Sequence, residues 1–263
     1  MNKKILSGIL LAAIVSITFF SCEKFHKSTT DPTLNYFPIK YGHYVVYNVD
    51  SIYYGYNPNN GGHSEFCTKY EIKSQMKYAV TDTFRDAEDR LSYVVDVYSR
   101  PYIGGYWTEN SVILVTLTPT TVTNLLAPVT YSLLYTQDRT QYVKLMFPIQ
   151  NGYSWKGNQN AEVNDAFFAY LKNWNYTYQN MGKSYFNGQV EFDNTVTCLE
   201  DDESVYYPGI DTGVAGYRTY AKEVYAYNVG MIYKEWTHYT WNAFADSCWS
   251  GYRVTMTAVE YNQ

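Results

Sequence analysis

The stretch that decides the fold class is GYRVTMTAVEYN, residues 251–262. Read with a period of two, it separates one face (Tyr252, Val254, Met256, Ala258) from the other (Arg253, Thr255, Thr257, Val259). Such alternation is typical of a strand that buries one face. In residues 143–147, Val143, Leu145 and Phe147 alternate with Lys144 and Met146 in the same way.

Further runs of this kind are short and are separated by turn residues; they span 44–54, 69–83, 91–99, 112–118, 129–135, 167–178 and 190–199. The chain also contains 31 Tyr, 12 Phe and 6 Trp, and aromatic residues suit a pleated, half-buried surface. Many short strands with turn signals between them indicate an antiparallel sandwich or barrel. The sequence therefore predicts a mainly β fold, with a single antiparallel, strongly curved sheet or a barrel-like sandwich.

One short helix is predicted over residues 217–228. Tyr220, Val224 and Tyr227 recur there at helical spacing, and Gly230 follows as a residue that can end a helix.

The N-terminus carries Lys3 and Lys4, an uncharged run over 5–20, and then Ser21 and Cys22. This order predicts a lipoprotein signal peptide over 1–21, with Cys22 as the acylated first residue of the mature chain. A transmembrane anchor or a plain secretory signal is the alternative, but the run is shorter than the roughly 20 residues of a span. Residues 22–33 are predicted to be a flexible tether and 34–263 a single β-rich domain.

The net charge of the mature chain bears on which partners it can bind. Removal of 1–21 takes two lysines from the 20 basic residues and leaves 18 against 25 acidic ones, a formal charge of −7. Nucleic acid is therefore not an expected partner, because binding its backbone needs a basic surface.

Motifs for catalysis are sparse. The four histidines, His26, His43, His63 and His238, have no metal-type spacing, and no nucleophile elbow, phosphate loop or His-Glu-x-x-His occurs. The sequence predicts a protein without catalytic residues and without a cofactor, and a hydrolase is the less favoured alternative.

Two polar features are candidate sites, one for calcium and one for a disulfide. Asp201, Asp202 and Glu203 are a weak candidate for a calcium site, but the EF-hand order is missing, and a solvated loop explains them better.

Export would put the remaining cysteines in an oxidising compartment. Three pairings are open; Cys67 with Cys248 is the preferred disulfide, and Cys198 is predicted to be a small buried apolar residue.

Three segments resemble uncharacterised lipoproteins of Bacteroidetes, in which the lipid-bearing cysteine anchors the protein to the outer membrane. They are Tyr36-Phe37-Pro38-Ile39 with Gly42 and Tyr47; residues 142–148 with Gly152, Trp155, Gly157 and Asn158; and residues 223–226 with 229–235. Gly251-Tyr252-Arg253 is similar to the final strand of that group. The resemblance implies an outer-membrane lipoprotein, with the periplasmic face and the cell surface both open, and it implies no activity.

Two functions remain open. The first is a non-catalytic binding module for a glycan or an apolar ligand, with Trp107, Trp174 and Trp241 as speculative binding residues. Exposed aromatic rings there would favour a glycan, and an enclosed apolar cavity would favour a lipid. The second is a structural or assembly role, in which an exposed aromatic patch docks onto another envelope protein. Trp155 and Trp236 are predicted to be core aromatics.

Overall fold

The computed structural model describes residues 31–56, 67–102, 104–121, 130–137, 140–161, 170–172, 174–206, 214–242 and 249–262. The predicted signal peptide, Cys22, most of the tether and Cys248 lie outside these residues. Among the described residues, no helix has the length and apolar character needed to cross a membrane.

A short 3₁₀-helix opens the described chain at Pro32–Tyr36, so it includes the last two residues of the predicted tether. Twelve strands follow: β1 Tyr44–Tyr56, β2 Cys67–Arg85, β3 Leu91–Pro101, β4 Thr108–Thr121, β5 Thr130–Gln137, β6 Thr140–Phe147, β7 Ser154–Trp155, β8 Tyr176–Phe186, β9 Glu191–Tyr206, β10 Val214–Ala226, β11 Gly230–Asn242 and β12 Trp249–Tyr261.

These strands form one antiparallel sheet in the order β6-β5-β4-β3-β2-β1-β12-β11-β10-β9-β8-β7. Strands that follow each other in sequence pair, except β6 with β7, and the last strand pairs with the first, as in Val49 opposite Met256. The sheet is therefore a meander that curves on itself, and its two edges are consecutive in sequence. The mainly β, strongly curved antiparallel fold that the sequence predicts is confirmed.

Side chains join these two edges. Trp155 Nε1 donates to the carbonyl of Val143 at 2.8 Å, and the Val143 N–H donates to the carbonyl of Gly157 at 2.7 Å. Tyr178 Oη donates to the carbonyl of Met146 at 3.0 Å and accepts from its N–H at 2.9 Å. We call these four hydrogen bonds the edge seam. They satisfy backbone groups that an edge strand would otherwise leave unpaired.

A glycine is required beside the seam. A Cβ built on Gly157 would lie 2.4 Å from the Tyr176 ring, which is too close for any real contact. The absence of a side chain therefore lets the segment after β7 lie against β8.

The inward side of the sheet forms the core, and the decisive stretch contributes to it. Met256 and Ala258 are buried, and Val254 packs against the core, as the alternation predicts. Trp155 is buried in the core, as expected, and Cys198 is a buried free thiol.

The helix predicted over 217–228 is wrong, because most of this segment belongs to β10. This strand pairs with β9 on one side and β11 on the other, and Glu223, Val224, Tyr225 and Ala226 are consecutively buried. Burial of both faces removes the alternation that marks a strand, and the spacing of large residues then imitates a helix. Gly230, with φ of +95°, follows the turn after β10 and begins β11.

Two further segments differ from expectation. Asp201, Asp202 and Glu203 lie within β9 instead of in a loop, and each pairs with a residue of β10. Of the described residues in the predicted strand over 167–178, those from Tyr176 onward belong to β8, and Tyr170–Lys172 form a short 3₁₀ turn.

We predict that Tyr178→Phe lowers the free energy of unfolding by about 2 kcal/mol, because it leaves the N–H and carbonyl of Met146 without their partner. Urea denaturation measures the loss. The matched control is Tyr106→Phe at a side chain that is 95% exposed, and we expect it to change nothing. Equal stability of both variants would contradict the role of the edge seam.

Candidate functional site

A cavity of about 210 Å³ lies inside the curved sheet. Its lining comes from β1 to β6, from β8 to β11, from the segment after the 3₁₀-helix and from the segment between β7 and β8. It has room for several water molecules or for a small organic group.

Aromatic rings make up much of the wall. Two of the tyrosines are held by hydrogen bonds at their hydroxyl ends: Tyr47 Oη donates to the carbonyl of Met231 at 3.0 Å, and Tyr176 Oη donates to Asn158 Oδ1 at 2.9 Å. Asn158 is fixed in turn, because its Nδ2 donates to the carbonyl of Leu171 at 2.7 Å. The aromatic lining residues are Phe37, Tyr47, Tyr78, Tyr135, Tyr142, Trp174, Tyr176, Tyr225 and Trp236.

Four charged side chains also line the cavity, and we call Lys144, Glu200, Glu223 and Lys234 the charge cluster. Lys144 Nζ contacts Glu200 Oε1, and it lies 2.7 Å from Glu223 Oε1. Lys234 Nζ lies 3.0 Å from the same Glu223 oxygen. Tyr225 Oη donates to Glu223 Oε2 at 2.5 Å. Buried charges need partners of this kind, because desolvating an unpaired charge is costly.

The two carboxylates of the cluster differ in their environment. Burial favours a raised pKa for Glu223, but Lys144 and Lys234 overcome it and lower this pKa to about 2. Burial and the neighbouring Glu223 raise the pKa of Glu200, although Lys144 acts against them. Burial would lower the pKa of Lys144, but Glu200 and Glu223 raise it well above the ordinary value. Glu223 is thus the firmly ionised carboxylate, and Glu200 is the less stabilised one.

Several polar groups at the cavity lack partners among the described residues. The indole N–H groups of Trp174 and Trp236 are buried and have no acceptor. Lys234 has one carboxylate partner, Glu223, although an ammonium has three N–H donors. Glu200 accepts a hydrogen bond only from Lys144. The cavity therefore offers three donor groups with unused capacity, two indole N–H groups and one ammonium, and one carboxylate that can accept a further hydrogen bond.

The chain segment after the 3₁₀-helix closes one side of the cavity. Phe37, Pro38 and Ile39 line it directly. The Asn228 N–H donates to the carbonyl of Asn35 at 2.8 Å and fixes this segment against the turn between β10 and β11.

The three segments that carry the lipoprotein resemblance converge on this cavity. The first supplies Phe37 and Tyr47, the second Lys144, and the third Glu223 and Lys234. Strands that are far apart in sequence bring the three segments together. Residues of these motifs therefore line the cavity, in addition to forming turns and strand ends.

The three tryptophans that the sequence predicts as binding residues lie in different places in the structure. Trp174 is buried and lines the cavity. Trp107 is not among the lining residues, and the Arg100 guanidinium lies 4.2 Å from the centre of its ring. Trp241 opposes Trp249 in the β11–β12 pair, and its side chain lies outside the description. Trp236, predicted to be a core aromatic, lines the cavity.

The remaining candidates are the acidic residues of β9 and the Cys67–Cys248 disulfide. Within the described part of the chain, no three His, Cys, Asp or Glu side chains are grouped so as to hold a metal. Asp202 forms an ion pair with Arg218, and Glu203 Oε2 accepts from Tyr217 Oη at 2.9 Å. Cys67 begins β2, but neither its side chain nor Cys248 is described, so their disulfide stays a prediction.

Comparisons with known proteins find limited similarity. No protein-family model and no curated protein match the chain. A protein from Bacteroides fragilis NCTC 9343, described as exported and as having a YmcC-like fold, is 11% identical; the match covers 86% of this chain and 98% of that one, with a TM-score of 0.36. A protein from Parabacteroides distasonis ATCC 8503, described as a lipoprotein, gives the same identity and coverage with a TM-score of 0.29. Neither similarity identifies a function for this chain.

We predict that Glu223→Gln lowers the free energy of unfolding at pH 7 by about 3 kcal/mol, because two buried lysines lose their shared carboxylate. The pKa of Glu223 is lowered to about 2 in the folded protein, against an ordinary 4.5. Its stabilisation is therefore complete above pH 4.5 and is lost as the pH falls toward 2.

The measurement is the unfolding free energy of wild type and variant between pH 7 and pH 2.5. We expect the difference between them to shrink below pH 4.5. Glu191→Gln, at an exposed carboxylate, is the control and should track the wild type throughout. A difference that stays constant with pH would contradict the assignment of the charge to Glu223.

Proposed function

We propose that this protein is a non-catalytic, lipid-anchored envelope protein that binds one sugar unit of a glycan in the interior cavity. The observation that carries the proposal is the lining itself, in which aromatic rings surround buried polar groups with unused hydrogen-bonding capacity. Pockets for small ligands combine apolar walls with a few placed polar groups in this way. The order Lys3-Lys4, apolar run, Ser21-Cys22 supports the anchor.

An enclosed apolar cavity would favour a lipid, but this cavity is also lined by four charged side chains, so a sugar fits the lining better than a purely apolar ligand does. An apolar ligand would leave the indole N–H groups of Trp174 and Trp236, which have no acceptor among the described residues, and the Glu200 carboxylate without a further hydrogen-bond partner. Each buried group left unpaired costs about 1–3 kcal/mol. Sugar hydroxyls both donate and accept, and the C–H face of the ring can pack on the tyrosines and tryptophans.

The charge cluster also favours binding over hydrolysis. In glycosidases, two carboxyl groups flank the bond that is cut. Here Lys144 lies between Glu200 and Glu223 and contacts both. The space that a scissile bond would need is therefore filled by an ammonium group, and we assign no catalytic residue.

Native mass spectrometry of the protein purified from its own cell envelope tests this proposal. We expect a reproducible extra mass of a saccharide that disappears on denaturation. The denatured mass checks the anchor, since it should correspond to a chain that begins at Cys22 and carries acyl groups.

Two variants locate the ligand. Ile113 is buried and lines the cavity, whereas Val112 precedes it on β4 and is 39% exposed. We predict that Ile113→Phe, which fills the cavity, removes the extra mass, and that Val112→Phe retains it. Retention by both variants would contradict binding in the cavity. No extra mass in the wild type would favour the second function, docking onto an envelope protein.

A further inference from the structure

Trp174, Trp236 and Lys234 are neighbours in the cavity lining, and we call this part its donor-rich end. The two indole N–H groups have no acceptor among the described residues, and Lys234 pairs with Glu223. The Trp174 and Trp236 rings meet edge to face with centroids 6.0 Å apart. Lys234 Nζ lies 5.7 Å from the centre of the Trp236 ring. Trp236 and Lys234 are two residues apart on β11, so they project on the same side of the sheet.

These donors share one requirement. Indole N–H groups can only donate, and an ammonium can only donate. A neutral hydroxyl has an O–H donor and two acceptor lone pairs, so it offers these three groups fewer acceptor positions than a carboxylate does. A carboxylate has two oxygens that only accept, with about four lone-pair positions, and hydrogen bonds to a charged acceptor are the stronger ones.

We infer that the ligand is an acidic sugar whose carboxylate is bound by Lys234 together with the indole N–H groups of Trp174 and Trp236. This inference rests on the proposed function and adds the chemical class of the ligand. The sugar ring then lies toward the aromatic wall, and the carboxylate occupies the donor-rich end.

Glu200 offsets the negative charge of the bound carboxylate by taking up a proton. With all four groups ionised, the charge cluster has no net charge, and a bound carboxylate would leave one buried negative charge in excess. The groups that face Glu200 are Lys144 on β6, Tyr176 on β8, Glu223 on β10 and Lys234 on β11, with Cys198 on its own strand. Glu223 is held ionised by both lysines, so Glu200 is the carboxylate that takes up a proton when the ligand binds.

The test uses three matched pairs of probes: D-glucuronate with D-glucose, D-galacturonate with D-galactose, and D-mannuronate with D-mannose. The members of a pair differ only in a carboxylate or a hydroxymethyl group. Isothermal titration calorimetry on the mature protein is expected to show, in at least one pair, that the acid binds ten-fold or more tightly than the neutral sugar.

The outcomes separate the two proposals. Neutral sugars that bind as tightly as their acids would overturn the carboxylate inference and leave the proposed sugar site standing. No binding by any of the six probes would overturn both.

Conservative variants then test the residues. Trp236→Phe and Trp174→Phe keep a ring and remove one N–H donor, and each is expected to weaken binding of the preferred acid about ten-fold, since one charge-assisted hydrogen bond is lost. Trp107→Phe, outside the cavity, should bind like the wild type. Unchanged affinity in both cavity variants would contradict the assignment.

A gain of affinity provides a test that a folding defect cannot imitate. Glu200→Gln holds this position neutral, so we expect it to bind the acid more tightly than the wild type does and to take up no proton on binding. Calorimetry in buffers of different ionisation enthalpy measures the proton uptake. Weaker binding by this variant, or uptake equal to that of the wild type, would overturn the role of Glu200.

Discussion

The edge seam is the constraint on which the rest of the structure depends. A meander of twelve strands brings β6 and β7 to opposite edges of one sheet, and without further contacts the sheet would remain open along this line. Trp155 and Tyr178 close it by bonding the backbone of Val143 and Met146. The seam also explains how Lys144, which lies on the edge strand β6 between these two residues, reaches Glu200 on β9 and Glu223 on β10. The cavity and its charge cluster are thus consequences of closure.

We propose that the charge cluster serves binding more than stability. Desolvation of buried ions offsets most of their attraction, and apolar residues of similar volume often stabilise a fold equally well. In this protein the charged groups line a cavity in which Lys234 and Glu200 keep unused hydrogen-bonding capacity. The aromatic residues complement them, because tyrosine supplies a broad apolar ring together with a hydroxyl that neighbouring backbone can fix, as in Tyr47. Such a lining is preorganised, so a ligand need not order it on binding.

The fold class follows from sequence more readily than the site does. Alternation is a local signal, and residues 251–262 and 143–147 carry it clearly, which is why both segments are correctly predicted as strands. The signal fails where tertiary packing covers both faces, as in β10, so that segment resembled a helix. The site depends on contacts over long separations, since Lys144 and Glu200 are 56 positions apart. Nothing local distinguishes Trp174, which lines the cavity, from Trp107, which does not. A usable signal lies in the second and third segments that resemble lipoproteins, because they place Lys144, Glu223 and Lys234 within strands.

The central claim is that a glycan unit occupies the interior cavity. Its most direct test is a crystal structure of the protein purified from its own envelope without exchange of bound ligand. We predict electron density for a sugar ring against the aromatic wall, with an oxygen-bearing substituent between Lys234 and the indole groups of Trp174 and Trp236. A cavity that holds only water, or ligand density confined to the outer surface of the sheet, would contradict the account.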